Sequence, residues 1–116
     1  MADFDKTVTG LRRWTKDHDP HVRAAVELLI DLGPWLHRGS FLEACVRTDH
    51  GETWIDWGEA REYAARRGLP ASTTEIGLLR LAVSLGSDEY RLSRMGDAHA
   101  QAIARAFADA LGVPNG

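Results

Sequence analysis

A chain of 116 residues, 44% apolar and 27% charged, has the size and composition of one globular domain with its own core, not of a disordered tail. Its net charge of −3 gives no whole-molecule attraction to nucleic acid or to an anionic membrane, and its uncharged apolar runs fall far short of the ~20 residues that span a bilayer. The opening MADFDKTVTG lacks the apolar stretch of a signal peptide, and a single cysteine, Cys45, permits no internal disulfide, so a reducing cytoplasm is the expected compartment.

The first segment, about Phe4 to Lys16, sets Phe4, Val8, Leu11 and Trp14 or Thr15 on one helical stripe, with Gly10 interrupting it. Asp19-Pro20 opens a second helix, because Asp is a good N-cap and proline at the first helical position forfeits no hydrogen bond. Val22, Ala25, Val26, Leu29 and Leu32 recur at three- and four-residue spacing. Gly33 then offers a left-handed C-terminal cap, and Pro34 forbids continuation. Residues 34–39 read as a short turn.

Three later helix starts share one device: Ser40, Asp56 and Ser72 each stand three residues before a glutamate, Glu43, Glu59 and Glu75. In such a box the cap side chain accepts from one free backbone N–H while the glutamate reaches back to another. Thr48 to Glu52 reads as a turn, and Thr53-Trp54-Ile55-Asp56 as a short edge strand. Gly86-Ser87-Asp88 is a second turn and Glu89-Tyr90-Arg91-Leu92 a second strand. Ser93 then caps a final Ala-rich helix of about 18 residues, with Met95, His99 or Ala100, Ile103, Ala106, Phe107, Ala110 and Leu111 on its apolar side and Gly112 and Pro114 at its end.

From Ser40 the order is thus helix, strand, helix, tight turn, helix, strand, helix, with Gly68-Leu69-Pro70-Ala71 as the turn. The run from Tyr90 to His99 has the form of a wing strand followed by a Ser-capped helix with an early glycine. On these features residues 40–111 resemble the winged helix-turn-helix of MarR-like and PadR-like bacterial regulators. The resemblance implies a mainly α fold: a winged helix-turn-helix core over 40–111, two extra N-terminal helices in 1–39, a minimal two-stranded β-ribbon and a tail at 112–116. It further implies that the helix opening at Ser72 is a recognition helix, with Ser72, Thr73 and Thr74 facing base edges of double-stranded DNA. Phosphate contacts would fall to Arg61, Arg66, Arg67, Arg91 and Arg94. Residues 60–94 are also the one positive stretch, six arginines against four acids. Terminal helices in such proteins pair, so a homodimer is expected.

The expected function is a small, dimeric DNA-binding transcriptional regulator with no cofactor and no membrane partner. The competing class is a winged-helix module that binds protein, because Ile76 to Leu85 is apolar nearly all round, Arg80 and Ser84 excepted. Asp17, His18, Asp19, His21 and His37 could suggest metal ligands, but Asp19-Pro20 breaks the helix between the two closest histidines. Cys45 falls on an apolar stripe, as a small buried hydrophobe does, rather than as a nucleophile beside His50. The four tryptophans suit a core or its edge. No phosphate loop, nucleophile elbow or interpretable carboxylate pair appears, so an enzyme is not expected.

Overall fold

The computed structural model describes residues 2–114, and the expected tail residues Asn115 and Gly116 lie outside them. The chain is mainly helical with one small antiparallel sheet. In order it forms α1 (Ala2–Thr15), α2 (Pro20–Asp31), a 3-10 turn (Trp35–His37), α3 (Gly39–Cys45), β1 (Val46–Asp49), β2 (Glu52–Ile55), α4 (Trp57–Ala64), α5 (Thr73–Gly86), a second 3-10 turn (Leu92–Arg94) and α6 (Asp97–Leu111). Among the described residues, no helix is long and apolar enough to cross a membrane.

Helix α5 is the centre of the body, with α2 along one side and α4 along another. The stripe on α2 buries Val22, Ala25, Val26 and Leu29 as its spacing requires. Leu32 escapes that stripe and is 55% exposed, because the helix ends at Asp31 and Leu32 is already extended. Helix α1 lays Leu11 and Thr15 into the core and runs along both α2 and β2. Gly10 is the reason α1 can lie so near the strand: a Cβ there would fall 2.7 Å from Thr53 Oγ1. The residue that interrupts the apolar stripe is therefore the contact point of helix and ribbon.

Under α5, three aromatic rings pack together in the core. Trp35, Phe41 and Tyr63 meet at centroid separations of 5.4 to 6.2 Å, two of the pairs edge to face. Each polar edge is satisfied. The Trp35 indole donates to the Glu75 carbonyl at 3.0 Å, and the Tyr63 hydroxyl pairs with Ser40 Oγ at 2.8 Å. At the other end of α5, His21 Nδ1 meets the Leu85 carbonyl at 2.8 Å, fastening α2 to the same helix.

Three expectations about local structure are corrected. The ribbon pairs β1 with β2, Val46 opposite Ile55 and Asp49 opposite Glu52, so only His50 and Gly51 form the turn. Both have positive φ, 50° and 80°, as a two-residue hairpin turn that follows the strand twist requires. Residues 89–92 form no strand. Among the described residues the one sheet is β1–β2, so no strand pairs with them; Arg91 is left-handed at φ 55°, and Asp88 accepts from both the backbone N–H and the hydroxyl of Ser93. With Ser93 so engaged, α6 starts at Asp97 behind Gly96, four residues later than its supposed cap.

Of the three capping boxes, Ser72–Glu75 is complete, and Asp56 accepts from Glu59 N–H without a return bond being formed. Ser40 caps nothing: α3 starts one residue earlier, with Arg38 at its cap position, and the Ser40 hydroxyl pairs with Tyr63.

Candidate nucleic-acid interface

The start of α5 is the part of the molecule that sequence singled out, and it faces outward. Ser72, Thr73 and Thr74 are all exposed. Ser72 Oγ accepts from Glu75 N–H at 3.1 Å and Glu75 Oε1 accepts from Ser72 N–H at 2.8 Å, which fixes the first turn while leaving the threonine hydroxyls to solvent. Replacing Ser72 with alanine should cost about 1 kcal/mol of stability, with Ser72→Asp retaining most of it. Urea unfolding of the three proteins measures this; equal midpoints would mean the cap contributes nothing.

Beyond the cap, the solvent side of α5 is not apolar. Thr73, Gly77 and Arg80 are exposed at spacings of four and three, with Thr74 beside them and half-buried Ser84 one turn further on. A Cβ at Gly77 would meet nothing within 4 Å, so the stripe is open at its middle, while Arg80 and Ser84 border a hollow with Arg61, Glu89 and Tyr90. The opposite side carries Leu79, Ala82, Val83 and Gly86 into the core. The sequence pattern hid this division because Ile76, Leu78 and Leu81 flank the stripe. The signal that finds Arg80 is its place seven residues after Thr73.

The five arginines expected to contact phosphate do not converge. Arg66 and Arg67 are exposed in the connection between α4 and α5, which leads directly into Ser72. The Arg66 guanidinium lies 4.8 Å from the Tyr63 ring centroid, in a hollow it shares with Ser40, Glu43, Arg47 and Glu59. Arg61, by contrast, is bonded to Glu89 and donates to Ser87 Oγ at 2.8 Å. The same bond holds the Glu89 carboxyl below the usual carboxylate range.

Arg91 and Arg94 are exposed, but they follow the C-terminal end of α5. A 14-residue helix is roughly 20 Å long, so that end is far from Ser72. The connection itself, residues 65–72, is longer than the roughly three-to-four-residue turn of the tightest helix-turn-helix units. Gly68 turns it through φ 73°.

The other sequence clusters disperse. His18 Nδ1 meets the Trp14 carbonyl, His21 meets Leu85, and His37 stacks on Phe4 at 4.0 Å. Among the described residues, no three of His, Cys, Asp and Glu gather as metal ligands would. Cys45 is buried, and that burial pushes its thiol up to about 11, so it stays protonated at neutral pH.

A second surface was not legible as a site. Leu81 and Leu85 of α5, Leu92 and Met95 of the following segment, and Ala100, Ile103, Ala104 and Phe107 of α6 line an open apolar cleft of about 320 Å³. No residue of α6 is buried, although its apolar residues share one side as expected. Comparison with known proteins finds no family model, no curated protein and no solved structure that matches this chain.

Proposed function

We propose that the chain is a small DNA-binding regulator in which α4, its connection and α5 act as a helix-turn-helix. One observation carries this reading: the exposed stripe Thr73, Thr74, Gly77 and Arg80 on a helix whose other side is core, with Arg66 and Arg67 exposed in the connection that leads into it. In a major groove the threonines would reach base edges with little discrimination. Arg80 would supply the specific contact, a bidentate pair with a guanine. Arg66 and Arg67 would neutralise phosphates and set the register. The β1–β2 ribbon would serve as the wing, standing before α4 rather than after α5. Regulators of this type read paired half-sites, so two copies belong to the reading.

The test is a fluorescence-anisotropy titration of a duplex pool between roughly 50 and 200 mM salt. Affinity should fall steeply with salt. Arg66→Ala with Arg67→Ala should weaken binding on all sequences and lower the salt slope by about two. Arg80→Ala should cost about 1–3 kcal/mol on the preferred sequence and relax its preference. No anisotropy change at the lowest salt ends the proposal. The competing class, a winged-helix module for protein, is favoured by the apolar cleft beside α6. It predicts partner binding that survives high salt.

A further inference from the structure

Two hollows meet near the C-terminal end of α5. One is the apolar cleft of about 320 Å³ between α5 and α6; the other, of about 440 Å³, is bordered by Asp19, His21 and Ser93. Leu85 and Leu92 line both, so the two form one trough with an apolar body and a polar end. Small-molecule sites have volumes of roughly 300–1,000 Å³, mostly apolar walls and a few convergent polar groups. No residue of α6 is buried although the helix lines this cleft, so its apolar side is left with space that an apolar body would fill.

The polar end selects the head group. The His21 side chain is 13% exposed, and its Nδ1 faces the Leu85 carbonyl at 2.8 Å. A carbonyl only accepts, so Nδ1 carries a proton and, in the neutral ring, Nε2 is left as an acceptor. That nitrogen lies 3.7 Å from Asp19 Oδ2. The Asp19 carboxylate makes no cap bond in α2, and Ser93 donates its hydroxyl to Asp88. The side chains here thus offer acceptors and negative charge, which an ammonium N–H between Asp19 and His21 would satisfy. An anionic head would meet Asp19 as a like charge, and Pro20, the first residue of α2, has no N–H to offer it.

We propose that this trough binds a small amphiphile, an alkyl- or arylammonium whose apolar body lies between α5 and α6 and whose head bridges Asp19 and His21. The site lies toward the opposite end of α5 from Ser72 and does not rest on the DNA reading.

Titration calorimetry below the micelle concentration tests it. Decylammonium should bind at least about tenfold more tightly than decanoate, which keeps only the body, and than butylammonium, which keeps only the head. Asp19→Asn should weaken decylammonium about tenfold and leave the neutral decanol within about twofold. Ala104 lines the cleft from exposed α6, so Ala104→Trp should fill it and abolish binding while the helical circular dichroism is retained. Amide exchange along α6 should slow when the amine is bound. Equal affinity for decanoate, binding that survives Ala104→Trp, or no binding at millimolar amine overturns the proposal. So does a chain that sediments at twice 12.8 kDa and excludes the amine, because a second copy then covers the cleft.

Discussion

Trp35→Ala should be the most damaging single truncation in this chain, lowering stability by about 3–5 kcal/mol. Trp35 is fully buried, and its ring is the one that joins Phe41 of α3 and Tyr63 of α4 to the underside of α5. Alanine leaves a cavity bounded by two rigid rings that cannot collapse into it, which puts the cost at the upper part of that range. It also deletes the indole donor to the Glu75 carbonyl, a bond worth about 1 kcal/mol. For a domain stable by about 5–15 kcal/mol, the loss is a large fraction of the total. The urea midpoint should fall by roughly 2 M with an unchanged slope. Trp35→Phe, which keeps most of the packing and loses the donor, should recover more than half of it. A midpoint within about 0.5 M of wild type would mean the aromatic cluster does not hold α5 in place.

How much of this was legible in the sequence depends on where each signal resides. Helices α1, α2, α4 and α5 announce themselves because caps and periodicity are local: Pro20 at the first helical position, Asp56 and the Ser72–Glu75 box each act within one turn, although Asp19 at the cap position of α2 makes no side-chain cap bond. The hairpin was half legible. Trp54 and Ile55 favour a strand, but Val46-Arg47-Thr48-Asp49 becomes one only by pairing with them, a contact that local pattern does not carry. Glu89–Leu92 failed for the converse reason: its residues favour a strand, and no second edge is there to bond with it. Ser40 has the spacing of a cap, yet a tyrosine 23 residues away claims its hydroxyl. The same logic divides the candidate site. Ser72, Thr73 and Thr74 lie outward as their position at a helix start dictates. Whether an arginine is free depends on distant partners, and Arg61 finds its own 28 residues on, at Glu89.

The two helical glycines of α5 should respond to alanine with opposite signs. Alanine has the higher helix propensity, by about 1 kcal/mol, so both substitutions start with a gain. At Gly77 nothing opposes it, because a Cβ meets no atom within 4 Å, and Gly77→Ala should stabilise by about 0.5–1 kcal/mol. At Gly86 the added methyl would lie inside the van der Waals envelope of Trp57 atoms Cε2, Cζ2 and Cδ2. The obstacle is a flat, rigid ring at the first turn of α4, not the tip of a flexible chain, so the two helices must part. Overpacking of this kind costs about 1–3 kcal/mol, which exceeds the propensity gain over most of that range. The buried indole N–H of Trp57 has no hydrogen-bond partner among the described residues, so packing alone holds the ring there. Gly86→Ala should therefore be rescued in part by Trp57→Leu, with a coupling of at least about 1 kcal/mol in a double-mutant cycle. Additive effects, or stabilisation by Gly86→Ala alone, would show that α4 and α5 do not meet through this contact. The helix-turn-helix geometry proposed for the chain would then lose its hinge.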